Sequence, residues 1–212
     1  MGYWPVCAGL DTACMHHPPC QILDAMTDAI CLTNHFLIAM PGLGDPNFAR
    51  TVTLICEHSS QGAMGLVINR PTDLRLGDVL EQMEIEKTGT THLEMPVHLG
   101  GPVQNNRGFV VHEPLGHWES TLPITDTLGV STSRDILLAL VQNRGPDRCF
   151  LALGYAGWSA GQLEREIADN AWLSGPADNT ILFDTPAAAR WSAAAHLLGV
   201  DLALISGDTG HA

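Results

Sequence analysis

From residue 35 to residue 69 the chain repeats one rhythm three times: a short aliphatic or β-branched run, then residues that interrupt it. Residues 35–40 close on Pro41-Gly42, residues 51–57 give way to Ser59-Ser60-Gln61-Gly62, and residues 63–69 stop before Pro71. Proline cannot donate to a β-ladder and glycine permits the turn, so the pattern predicts three strands, the second and third forming a hairpin. A chain that opens with consecutive short strands must bury their faces against one another or against helices supplied later.

The rest supplies those helices. Leu76, Val79, Leu80 and Met83 are spaced for one short amphipathic helix. Strands are predicted at 97–99, after which Gly100-Gly101-Pro102 breaks the chain, at 108–112, and as a pair at 120–124 and 128–131. Ser133 is placed to cap a helix over 134–143 that Gly145-Pro146 ends. Residues 149–155 are apolar enough for a central strand, followed by a glycine-broken loop and a helix over about 160–169. A last strand is expected at 180–183. Thr185-Pro186 then starts a helix ending at Gly199, with Trp191, Ala194, Ala195 and Leu198 on one face. Strands first and helices later, without repeat or linker, argue for a single α+β domain.

Composition narrows the function classes. Among the 212 residues, 10 Lys+Arg face 23 Asp+Glu, a net charge of −13, and Lys87 is the only lysine. Affinity for nucleic acid rests on neutralising phosphates, so direct nucleic-acid binding is not expected. The longest strictly apolar run, residues 136–141, is far short of the ~18 residues of a membrane span, so no membrane association is expected. Residues 1–25 hold Cys7, Cys14, Cys20, His16 and His17 but no Lys or Arg. They lack the basic start and cleavage site of a secretory signal and the Cys-x-x-Cys pair of a zinc site. They are expected to form a disordered extension ahead of a domain at 26–212, with Met26 as the natural first residue. Cys31, Cys56 and Cys149, an odd number scattered through apolar runs, suggest buried thiols and a cytoplasmic location.

The densest polar and aromatic segment is 154–166, Gly-Tyr-Ala-Gly-Trp-Ser-Ala-Gly-Gln-Leu-Glu-Arg-Glu. Its glycines are not spaced as a dinucleotide fingerprint, and it lacks the lysine of a phosphate-binding loop. Gln162, Glu166 and Asn170 fall at i, i+4, i+8 on one helix face, with Trp158 just ahead. Glu57-His58 ends one strand and Asn69-Arg70 ends its hairpin partner. Carboxylate and imidazole can serve general acid–base chemistry, yet adjacent strand residues point to opposite faces, and an ion pair of Arg70 with Glu57 or another acid is the default. Arg107 lies between His98 and His112. No zinc-binding spacing and no Gly-x-Ser-x-Gly elbow occurs in the body, so no metal, no cofactor and no assigned catalytic residue is expected.

In order along the chain, the segments 32–41 (LTNHFLIAMP), Glu57-His58, 62–71 (GAMGLVINRP), Gly100-Gly101-Pro102-Val103, Arg107-Gly108, 154–166, Asn170 and Trp172 resemble the successive signatures of the AlgH/YqgE family of bacterial proteins. The resemblance runs from about Leu32 to the C-terminus. It implies a largely antiparallel sheet curled into a barrel-like core with helices packed outside. It also brings a label of transcriptional regulator, attached through control of alginate production, and no catalytic residue set.

Three functions follow as expectations. The first is a non-enzymatic regulatory or binding module that engages a protein partner or small ligand near Trp158, Gln162, Glu166, Asn69 and Arg70. The second is an enzyme using Glu57 or His58 with Arg70 or Arg107 on a small anionic substrate. The third is a direct DNA-binding regulator. The oligomeric state is left open.

Overall fold

The computed structural model describes residues 31–87 and 92–202; the extension expected at 1–25 lies outside them. Among the described residues ten strands and four α-helices follow one another as β1 (His35–Ala39), β2 (Val52–Ser59), β3 (Gly62–Val67), β4 (Pro71–Arg75), α1 (Leu76–Gln82), β5 (Pro96–Leu99), β6 (Val103–Glu113), β7 (Thr121–Pro123), β8 (Gly129–Ser131), α2 (Arg134–Val141), β9 (Arg148–Ser159), α3 (Gln162–Ala168), β10 (Trp172–Pro176) and α4 (Ala187–Leu197). The strand order is β10-β1-β2-β3-β9-β6-β8-β7, antiparallel throughout, in one curled sheet of a single α+β domain. Beside this path β5 runs parallel to β9 and antiparallel to β4.

Alternation divides the buried side chains between the two faces of the sheet. Phe36 and Ile38 of β1 join Val52 and Leu54 of β2 in a core closed by Ala194 and Ala195 of α4. Their neighbours Leu37, Ala39 and Ile55 turn the other way, toward Leu163 of α3. A third cluster packs Leu76 and Leu80 of α1 and Ile136 and Leu140 of α2 on Val110 of β6 and Leu151 of β9. Strands covered on both sides read as continuous apolar runs, and each fully buried Leu or Ile contributes about 1.5–3 kcal/mol.

Strand β9 is the spine. Its first half pairs with β6 and β5, its second half with β3. The change of partner falls at Gly154, whose φ of +73° favours glycine; a Cβ there would lie 2.5 Å from the Gly101 carbonyl oxygen. A Cβ on Gly100 would lie 2.3 Å from the Gly154 carbonyl oxygen, so the glycines let two backbones cross in contact.

Several local expectations are corrected. The segment after Tyr155 is not a loop: β9 continues to Ser159. A strand, β4, starts at Pro71, where a first-position proline costs no ladder bond. The segment expected as a strand at 180–183 is a π-helical turn, Thr180–Asp184. The Asp178 carboxylate accepts the Ile181 N–H, and the Thr185 N–H reaches the Thr180 carbonyl. A four-residue apolar run fits strand and helix equally, and here the Asp178 cap decides. Strand β10 is not among the expected strands; its residues Ser174, Gly175 and Pro176 have little strand propensity. Ser133 does stand at the start of α2, but its hydroxyl donates to the Asp135 carboxylate instead of capping the helix.

Candidate functional site

Residues 40–51 join β1 to β2. Neighbouring antiparallel strands are usually joined by about 2–5 residues, and a longer ordered loop calls for a reason. This one is folded on itself. The Leu43 N–H donates to the Met40 carbonyl at 2.9 Å and the Phe48 N–H to Asp45 at 3.0 Å. The Asp45 carboxylate accepts the Asn47 N–H at 2.8 Å, and the Thr51 hydroxyl donates to the Phe48 carbonyl at 2.8 Å. Gly42, Gly44, Asp45, Pro46, Asn47 and Ala49 remain exposed.

The loop is held from three sides. Arg70 donates through Nη2 to the carbonyls of Pro46 (2.8 Å) and Ala49 (3.2 Å). Asn69 donates to the Arg50 carbonyl at 2.9 Å and accepts the Val52 N–H at 2.9 Å. From α4, the Trp191 indole donates to the Ala39 carbonyl at 2.9 Å, and the Arg50 guanidinium stands 4.7 Å over the Trp191 ring. From the α3 side, Phe48 packs 6.2 Å from Trp158 and 5.5 Å from Trp172, and the two indoles lie 6.1 Å apart, edge to face. Glu166 ties this aromatic group together. Its Oε2 accepts both indole N–H groups, from Trp158 at 2.9 Å and Trp172 at 2.8 Å, while Oε1 accepts from Gln162 at 2.9 Å. Gln162 in turn accepts the Ser159 N–H at 3.0 Å.

Five of the residues selected from the sequence (Asn69, Arg70, Trp158, Gln162 and Glu166) thus converge, each directly or through a neighbour, on one loop. The others do not join them. Asn170 lies beyond the end of α3 with φ +58°, a left-handed helix ending, and so leaves the row begun by Gln162 and Glu166. Arg107 stands 5.3 Å from the Phe109 ring and reaches Gln104. Glu57 is exposed, whereas the His58 side chain is 6% exposed. His58 Nδ1 accepts the Leu32 N–H at 3.1 Å, so Nε2 carries the hydrogen that meets Glu164 at 3.0 Å. The expected ion pair of Arg70 with Glu57 does not form, because two loop carbonyls take the guanidinium. Glu57, His58 and Arg70 therefore present no shared face to a substrate.

Two buried polar clusters were missed. His98 is 3% exposed, its Nδ1 has no partner, and its ring meets Phe150 edge-on at 5.3 Å. Burial, reinforced by the Arg190 charge, pushes its pKa down to about 4. Arg190 is 6% exposed and donates to the Thr185 carbonyl at 2.9 Å and to the Ile68 carbonyl; burial lowers its pKa too. The second cluster is a chain of side chains from His112 through Ser131 to Thr121. A histidine within a strand carries no sequence signal of burial beyond its apolar neighbours. Arg190 had one: it sits in an alanine-rich helix a single residue from the face expected to be buried. Among the described residues no group of three or more His, Cys, Asp or Glu could hold a metal ion, and no helix is long and apolar enough to cross a membrane.

A family profile described as AlgH-like matches residues 36–203. A UPF0301 protein of Thioalkalivibrio sulfidiphilus is 61% identical over 187 residues, covering 88% of this chain and 100% of that protein. One from Nitrosococcus oceani is 57% identical over 179 residues, 84% of this chain and 96% of its own length. The solution structure of the AlgH protein from Pseudomonas aeruginosa superposes with a TM-score of 0.72 at 50% identity, covering 88% of this chain and 99% of that one. The crystal structure of protein DIP2367 from Corynebacterium diphtheriae, at 22% identity and a TM-score of 0.66, shares the fold over 87% of this chain and 96% of that one. The chain belongs to the AlgH-like family of UPF0301 proteins.

Proposed function

We infer that this protein is a non-catalytic regulatory module of the cytoplasm that recognises a protein partner through the loop at 40–51. The observation that carries this reading is the rigidity invested in that loop. Arg70, Asn69, Trp191 and the Phe48–Trp158–Trp172 group hold a segment whose outward residues bury little of their own surface. The two Arg70 hydrogen bonds are solvent-exposed and together contribute about 1–2 kcal/mol. Order of this kind lowers the entropy lost on binding. The loop turns Gly42, Gly44, Asp45, Pro46, Asn47 and Ala49 to solvent, which suits a protein surface better than a small ligand, since small ligands bind in concavities. The three cysteines of the described residues are free thiols, in keeping with a reducing compartment, although of the three expected to be buried only Cys56 is; Cys149 is half-buried and Cys31 exposed.

The test is a photo-crosslinking residue at Asn47 in the source bacterium, with a second at Glu84 as the control position. One protein captured from Asn47 and not from Glu84, and lost when Arg70→Ala loosens the loop, supports the reading. Equal capture from both positions rejects it. A mobility-shift titration at low salt tests DNA binding separately, because electrostatic binding is strongest there. A shift that disappears in Arg70→Ala would place DNA on the loop in place of a protein.

A further inference from the structure

The turn after β6 and the first turn of α2 frame an open depression of about 450 Å³, lined by Leu115, Trp118, Glu119, Thr121, Pro123 and Asp135 among others. None of its lining residues is lysine or arginine; His117 also borders it.

The hydrogen-bond direction behind Thr121 follows from chemistry alone. The Pro114 carbonyl can only accept, so His112 Nδ1, 3.1 Å away, carries a hydrogen. His112 is fully buried, and burial lowers its pKa, which keeps the ring neutral near pH 7. Nε2 is then an acceptor, and the Ser131 hydroxyl donates to it at 2.9 Å. Ser131 has no second hydrogen, so Thr121 donates to Ser131 at 2.8 Å. The Thr121 hydroxyl hydrogen is thereby committed inward, and to any incoming group its oxygen is an acceptor.

The remaining groups agree in sign. The Asp135 carboxylate accepts the N–H groups of Glu119 (2.9 Å) and Ile136 (3.0 Å) and the Ser133 hydroxyl. Glu119 is exposed. Trp118 Nε1 is buried without a partner, against Gly116, so the indole offers its ring and not its N–H. Two carboxylates, a hydroxyl acceptor and an aromatic ring suit a planar, donor-rich cation that can both stack and pair with carboxylates. The depression is open to solvent, so a side chain carried on a larger body can enter it without being enclosed. A basic partner also complements a chain of net charge −13. We propose that this depression receives an arginine side chain presented by a partner protein, independently of the loop at 40–51.

The test is an NMR titration of the full chain with acetyl-Gly-Arg-Gly-amide, with norleucine and glutamate peptides and putrescine as comparisons. The arginine peptide is expected to give saturable shifts at the amides of Glu119 and Thr121 and at the Trp118 indole. Glu119→Gln, at an exposed position, should weaken its binding about fivefold, and Trp118→Phe should weaken it less because an aromatic ring remains. Asp169→Asn, at an exposed position at the end of α3, should leave it unchanged. The proposal is overturned if the norleucine peptide shifts the same signals as strongly, if Glu119→Gln has no effect, or if Asp169→Asn weakens binding equally. Putrescine binding more tightly than the peptide would also overturn it, by making the site one for a free amine.

Discussion

Glu166, half-buried, and Arg190, buried, are both charged residues set against aromatic rings, and the protein treats them differently. Glu166 receives three side-chain donors, two of them tryptophan N–H groups that would otherwise be stranded. Arg190 finds no acid: it donates to backbone carbonyls, at Thr185 and Ile68, stands 5.8 Å from the Phe150 ring, and faces His98, a group that would become a second cation if protonated. A buried charge stabilises a fold when its partners need it as much as it needs them. By that measure the α3 side of the sheet is a closed polar network, whereas the α4 side holds its charge against a cost.

The largest test of this contrast is Glu166→Ala, which strands two indole donors and the Gln162 amide at once. It should cost about 3–4 kcal/mol in urea denaturation, with Glu166→Gln costing roughly half because one oxygen still accepts. If Glu166→Ala loses less than about 1 kcal/mol, the network is not the brace described here.

Next in size is the pH response of the other cluster. The folded pKa of His98, about 4, lies below its ordinary value of 6.5. The unfolded chain therefore takes up a proton that the folded chain refuses. The stability tied to neutral His98 is present above pH 6.5 and is lost as pH falls toward 4, by at most about 3 kcal/mol. His98→Leu should flatten the stability profile between pH 6.5 and 4. A wild-type profile that is already flat there would mean that His98 is not buried beside Arg190 as described.

These two clusters also show what a sequence discloses. Period-2 runs, Pro-Gly breaks and helical spacing were enough for β1, β2, β3, α1, α2 and the helix after Pro186, because each is a local pattern. The register that joins β10 to β1, and the partner change of β9 at Gly154, depend on residues about 90 to 140 positions apart, to which no local pattern is tied. The same holds for the site. Trp158, Gln162 and Glu166 were legible because they crowd one short segment. Their use was not: Phe48 and Trp172, which complete the group, read as isolated aromatics. Arg70 was identified as a charge seeking an acid, and its carbonyl partners at Pro46 and Ala49 could not be seen without the turn that presents them.

The loop allows a smaller test of the same contrast. Arg70→Ala should cost about 1–2 kcal/mol, and amide exchange should quicken about tenfold in residues 42–50 while β9 is unaffected. Slower exchange in the loop than in β3 after that substitution would show that the aromatic group alone suffices to hold it.

The smallest effect belongs to Ser131, and it discriminates best because it concerns one hydrogen. In the wild-type chain the His112 hydrogen sits on Nδ1, held by the Pro114 carbonyl, and Ser131 donates to Nε2. Ser131→Ala removes that donor inside a fully buried site where water cannot replace it, and it releases Thr121 to turn its hydroxyl toward the Trp118 carbonyl, 3.3 Å away. The two changes partly offset, so the cost should be only about 1 kcal/mol. The Pro114 carbonyl is unaltered, so the hydrogen must stay on Nδ1, and imidazole nitrogen shifts should report the same tautomer before and after. A switch of the hydrogen to Nε2 in the wild-type chain would reverse the donor order through Ser131 to Thr121, and with it the acceptor character of the depression.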